Sequence, residues 1–210
     1  MGGRKAPAPP GTAGENTYRT PWQRHLLAFL AVVAQKLLAF AVFLLIFFKV
    51  MFGVVTVPDG AMSPSFREGD IAFCYKFAKD YEKDDVIVVR VSYTDPATGE
   101  EKRETEVRRV LAVEGDVVDI TADQGLRING FRQEEKEVHT ETFPVRGSGV
   151  QFPVRVGKGE VFVLGDDRTS ASDSRIYGPV KIRKTDGRVV TMIRRLVGFG
   201  EIASVLKEHF

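Results

Sequence analysis

From Leu26 to Val57 the chain is apolar over 32 residues, broken mainly by Gln35, Lys36 and Lys49. Within it, Leu37–Phe48 is twelve apolar residues in a row. A helix that is apolar on every side belongs in a large core or in lipid. About 20 helical residues cross the ~30 Å of a bilayer's hydrocarbon. A span over roughly residues 33–53 meets that length, with Lys36 and Lys49 reaching outward to the two interfaces. A buried core helix is the alternative, but nothing amphipathic marks a soluble face. A cleavable secretory signal would be shorter, and no small-x-small site stands out after Phe48. The run therefore reads as an uncleaved anchor.

Charge gives the anchor a direction. Residues 1–36 carry five Lys/Arg (Arg4, Lys5, Arg19, Arg24 and Lys36) against one Glu. Positive charge is retained on the cytoplasmic side. The expected arrangement is a disordered cytoplasmic tail over residues 1–25, an anchor region over 26–57 and an extracytoplasmic domain over 58–210. Beyond residue 36 there are 25 Lys/Arg against 27 Asp/Glu, so no broad basic surface for nucleic acid is expected. The single cysteine, Cys74, rules out an internal disulfide. With His25, His139 and His209 scattered, no metal site and no cofactor is expected.

The outer part reads as mostly β. Ile71–Tyr75, Val86–Tyr93, Glu104–Val113, Val117–Thr121 and Glu160–Leu164 are short β-branched or aromatic runs. Turn signals separate them at Gly69-Asp70, Gly115-Asp116, Asn129-Gly130 and Gly165-Asp166. Asn129-Gly130 is a strong hairpin turn. Such spacing predicts folded antiparallel sheets or a barrel.

Three segments after the anchor, in order, resemble the type I signal peptidases, membrane-anchored proteases with a Ser/Lys dyad. Pro58-Asp59-Gly60-Ala61-Met62-Ser63-Pro64-Ser65-Phe66, followed by Gly69-Asp70, is similar to the family's P-S-G-S-M-x-P-T-L…GD box. Val107-Arg108-Arg109-Val110-Leu111, followed by Gly115-Asp116, is similar to its K-R-V…GD strand. Gly165-Asp166-Asp167-Arg168-Thr169-Ser170-Ala171-Ser172-Asp173-Ser174-Arg175, then Gly178, is similar to its G-D-N-R-x-N-S-x-D-S-R…G box. The resemblance implies the signal-peptidase type of β fold behind one transmembrane helix.

The resemblance also implies which positions carry the chemistry, and there the chain departs. The nucleophilic serine falls on Ala61, whose methyl has no oxygen to attack a carbonyl. The lysine base falls on Arg108, which cannot lose its proton at neutral pH. A serine that assists the oxyanion hole in some members falls on Asp59, whose charge opposes an oxyanion. The serine that positions the lysine falls on Ala171. Met62, Ser63 and Pro64 keep the shape of the first box and are candidate binding residues. Asp166, Arg168, Asp173, Ser174 and Arg175 are candidate scaffolding, with Asp166, Arg168, Asp173 and Arg175 expected in mutual contact against the strand of Arg108. Ser63 does not replace the nucleophile: along an extended strand it lies about 6.6 Å beyond Ala61.

The expected function is a signal-peptidase homologue without the dyad. It would bind a signal-peptide-like or pilin-precursor segment as an added strand, serving secretion or pilus assembly at the membrane. The alternatives are an active peptidase with an unusual nucleophile and base, and a purely structural anchored β domain. Residues 94–103 and 122–157 match no family box and are candidate insertions.

Overall fold

The computed structural model describes residues 21–133 and 141–195. The tail read as disordered lies outside them except for residues 21–25, which are helical instead. Helix α1 runs from Pro21 to Met51. Its His25–Met51 stretch is long and apolar enough to cross a membrane. The chain divides between Ile46 and Phe47 into a helical unit and a β unit.

The β unit holds two sheets. β1 (Phe52–Thr56), β2 (Ile71–Tyr75), β3 (Val86–Thr94), β4 (Glu101–Ala112), β9 (Glu160–Leu164), β10 (Val180–Lys181) and β11 (Thr185–Ile193) form the larger, in the order β1-β2-β11-β3-β4-β9-β10. β5 (Val117–Thr121), β6 (Gly125–Ile128), β7 (Phe131–Arg132) and β8 (Val154–Arg155) form the smaller, in the order β7-β6-β5-β8. All the pairings are antiparallel. Between β9 and β10 lies the short helix α2 (Ser174–Tyr177).

Five strands fall where the β-branched runs predicted them. The Asn129-Gly130 turn also forms, with φ of +54° and +84°, and it joins β6 to β7. Of the strands that no run predicted, β1 and β11 are the longest. Phe52–Thr56 reads as the tail of the apolar run, yet it pairs with β2 from Phe52↔Tyr75 to Thr56↔Ile71. Thr185–Ile193 lies between β2 and β3, in the interior of the sheet. It contains Asp186-Gly187, a pair that reads locally as a turn. Here Gly187 instead sits in a bulge at φ +145°, where a Cβ would collide with the Tyr75 carbonyl oxygen. Only glycine lets the two backbones approach so closely.

Three apolar clusters hold the unit. Ile87, Val89, Val91, Val110, Val161 and Val163 form the first. Val118, Ile120, Leu126, Ile128, Phe162 and Leu164 form the second, using residues of both sheets. Val57, Met62, Ala72 and Val107 form the third, beneath the first motif segment. Alternation along β4 turns Val107 into that core and sends Glu106 and Arg108 to the opposite face.

Candidate functional site

The three motif segments converge on one point. The first follows β1 and turns back: Ser63 N donates to the Gly60 carbonyl at 2.9 Å and Phe66 N to that of Met62 at 2.8 Å. The segment is thus a turn and not the extended strand on which the Ser63 spacing was reckoned. Met62 is fully buried in the third cluster, while Ser63 and Pro64 face solvent. At the end of the turn Asp70 accepts from Arg67 N at 2.9 Å, and Gly69 takes φ +84°. Gly115-Asp116 repeats the device: Val113 N donates to Asp116 at 3.1 Å and Gly115 takes φ +92°.

The third segment crosses directly over Ala61. Asp167 N donates to the Ala61 carbonyl at 2.9 Å. A Cβ on Gly165 would lie 2.6 Å from that oxygen, and closer still to the Ala171 methyl. Gly165 therefore lets Ala61 and Ala171 come together, and both are buried.

Arg108 on β4 is wholly buried below the same point. Its guanidinium donates to Asp59 through Nη2 at 2.9 Å and Nη1 at 3.4 Å. Nε donates to the Ser172 carbonyl at 2.7 Å, and Nη1 also to the Val107 carbonyl at 2.7 Å. One side chain thus ties together all three motif segments. Asp59 Oδ1 in addition accepts from Ala61 N at 3.1 Å. The four departures expected from the resemblance are neighbours in space.

A third charged group joins Asp59 and Arg108. Glu106, two residues before Arg108 on the same face of β4, is 1% exposed and lies 3.4 Å from Arg108 Nε. Tyr177 donates its hydroxyl to Glu106 Oε2 at 3.0 Å, and Oε1 has no partner. Burial pushes the Glu106 carboxyl up to about 7, and Arg108 and the Tyr177 hydroxyl offset only part of that. Burial alone would lower the Arg108 pKa, but Glu106 and Asp59 outweigh it and the net direction is upward. Arg108 is a fixed cation whose best partner is Asp59. Sequence reasoning passed over Glu106, although its two-residue spacing from Arg108 on a strand signals a shared face.

The scaffolding residues are anchored, but not in the mutual set that was expected. Asp173 and Arg175 form a bidentate pair at 2.9 Å and 2.9 Å. Asp173 also caps α2, accepting from Arg175 N at 3.0 Å and from Gly165 N at 3.2 Å. Ser174 Oγ accepts from Val163 N at 3.0 Å. Asp166 instead forms its bidentate pair with Arg109 of β4, at 2.8 Å and 2.8 Å. Arg168 donates to the Gly165 carbonyl at 2.7 Å and to Thr142 Oγ1. The difference follows from strand alternation: Arg109, beside Arg108, points to a different side and meets the start of the loop.

An apolar helix of membrane-crossing length, followed by an antiparallel β unit that gathers these three segments at one point, defines the signal-peptidase class of protein. The chain belongs to the signal peptidase family, peptidase S26, whose family model matches residues 29–193. It is 28% identical over 133 residues to signal peptidase I of Bacillus licheniformis, a match covering 60% of this chain and 67% of that protein. It is 31% identical over 141 residues to thylakoidal processing peptidase 1 of Arabidopsis thaliana, covering 64% of this chain but only 40% of that protein. Among solved structures, a signal peptidase I from Enterococcus faecalis aligns at a TM-score of 0.37 and 24% identity, over 53% of this chain and 97% of that one.

Proposed function

We propose that this chain is a signal-peptidase homologue that binds precursor segments without cutting them. The observation that carries the reading is the Asp59–Arg108 pair at 2.9 Å. A serine attack needs a hydroxyl, a neutral base and donors aimed at the developing oxyanion. Ala61 has no hydroxyl, and Arg108 is held as a cation. The Ala61 amide, a natural oxyanion donor, already donates to the Asp59 carboxylate. Reversing any one of these leaves the others in force.

Binding is a separate matter. β1 stands at the edge of the seven-stranded sheet and leads straight into the Asp59–Met62 segment. An extended peptide can add to such an edge through main-chain hydrogen bonds, without a nucleophile. The partner is a signal-peptide-like or pilin-like segment, and the role is accessory to secretion or pilus assembly. The membrane anchor at residues 26–57, a cytoplasmic N-terminus and an extracytoplasmic 58–210 domain belong to the same reading.

The test is cleavage of a membrane-tethered preprotein. Wild type and Ala61→Ser are expected to leave it intact. The combined Ala61→Ser, Arg108→Lys, Asp59→Ser, Ala171→Ser variant is the fair trial of the groove. Cleavage by wild type, abolished by Ser63→Ala, would overturn the reading in favour of an active peptidase. If no signal peptide or pilin precursor crosslinks near β1, the chain is a structural β domain.

A further inference from the structure

β11 pairs with β3 only as far as Thr185↔Val89, whereas β3 runs on to Thr94. From Arg90 to Thr94 the one strand beside it among the described residues is β4. No described loop backbone bonds to these five residues, so one edge of the strand is left open there. Two hollows of about 180 and 430 Å³ adjoin that edge and share Arg90, Val91, Ser92, Arg183 and Lys184. Five cations line them: Arg90, Arg103, Lys181, Arg183 and Lys184. Arg90 meets Asp186 at 2.9 Å. The other four are exposed and have no ion-pair partner among the described residues. Glu104 is the one carboxylate among the described lining residues, and it accepts from the Tyr93 hydroxyl at 3.3 Å. Tyr177, Pro179 and Val180 give the smaller hollow an apolar side.

We propose that this edge docks an extended acidic segment of a partner protein, added as a strand beside Arg90–Thr94 of β3. An open edge offers main-chain hydrogen bonds to any chain, and the side chains around it choose which one. Along β3, Arg90 and Ser92 are exposed while Val91 and Tyr93 are buried. A docked strand alternates in step with them, with acidic residues over the cations and apolar ones toward Val91, Tyr177 and Pro179. Guanidinium groups take carboxylates in bidentate pairs. Charged side chains also keep sheet edges from pairing with one another, and a guard of mixed sign would serve that purpose. Charge of a single sign does more. It repels a second copy of this chain, whose own edge is equally basic, and attracts an acidic strand. The proposal is independent of the chemistry at Asp59 and Arg108.

The experiment uses the full chain in uncharged detergent micelles and a dye-labelled peptide of alternating Glu and Val. Binding is read by fluorescence anisotropy, and the docking place by amide hydrogen exchange. The expected result is saturable binding with slowed exchange over residues 90–94. Affinity should fall about fivefold in each of Arg103→Glu and Arg183→Glu at low salt. It should fall in wild type as salt rises from ~0.01 M to ~1 M. Arg155→Glu, on the smaller sheet, should change neither readout. The same peptide N-methylated at every amide keeps its charge but donates no ladder bond, and it should not bind. Equal affinity for the methylated peptide, or binding without added protection at 90–94, would overturn strand addition. Equal affinity for a peptide of alternating Lys and Val would overturn the charge selection. Tighter binding of tripolyphosphate or of phosphatidylglycerol vesicles, weakened by the same two substitutions, would assign the patch to phosphate instead. No binding at millimolar peptide would overturn the proposal outright.

Discussion

At the scale of single residues, Arg108 explains its neighbours. A guanidinium in a wholly buried position needs its charge balanced, and Asp59 supplies the balance from a side chain that is 39% exposed. Asp59→Ala is expected to cost about 2 kcal/mol, less than the ~3–5 of a fully buried pair because solvent reaches the site. Arg108→Met should cost less than Asp59→Ala, since an apolar replacement removes the charge itself. A double-mutant cycle by chemical denaturation reads both, and equal, additive effects would show the pair to be uncoupled. Glu106 makes a separate prediction. Its carboxyl titrates near the usual 4.5 when unfolded and at about 7 when folded. Between those values the folded chain keeps a proton that the unfolded chain has released. Stability from this group should therefore be full below about pH 4.5, fall as pH rises, and level off above about 7. The loss is on the order of 3 kcal/mol. Glu106→Gln should flatten that slope in denaturation curves at pH 5 and 7.5, and an unchanged slope would assign it to other groups.

At the scale of elements, the loop from Gly165 to Arg175 does the assembling. It is pinned at one end by Asp166 on Arg109 and at the other by the Asp173–Arg175 pair. Asp173→Ala removes the α2 cap, strands the Gly165 amide and leaves a guanidinium that is 4% exposed without its partner. A cost on the order of 3 kcal/mol is expected. Asp166→Ala should cost less, because the Arg109 side chain is 17% exposed. Gly165→Ala should destabilise by about 1–3 kcal/mol through overpacking, since the new methyl would meet the Ala61 backbone. Thermal or denaturant midpoints rank the three. If Gly165→Ala is neutral, the third segment does not lie over Ala61 as described. The motif spacing made this loop legible as a unit. Its partners were not, because which arginine meets which aspartate depends on how β4 alternates under a loop some 57 residues away in the chain.

At the scale of the molecule, the anchor reading yields a topology. The excess of Lys/Arg before the span should keep residues 1–30 inside and place 58–210 outside. Protease added to intact spheroplasts is expected to digest the β unit and spare the tail. Protection of the β unit until lysis would reverse the orientation. The local signals in this chain were of two kinds, and they travelled differently. The apolar run, the β-branched segments and the glycine turns act through nearest neighbours, so α1, five strands and the Asn129-Gly130 hairpin could be read from residues alone. The same holds for the methyl of Ala61 and the fixed positive charge of Arg108, because these belong to the side chains in any fold. The tertiary structure alone decided the rest. β1 is a strand because β2 offers it hydrogen bonds; without that edge it is merely the end of an apolar run. β11 overrides its Asp186-Gly187 pair because two neighbouring strands supply more pairing than a turn would. Asp59, Glu106 and Arg108 become one electrostatic unit because burial strips Glu106 and Arg108 of water and brings the half-exposed Asp59 against the guanidinium, and burial is a property of the packed chain.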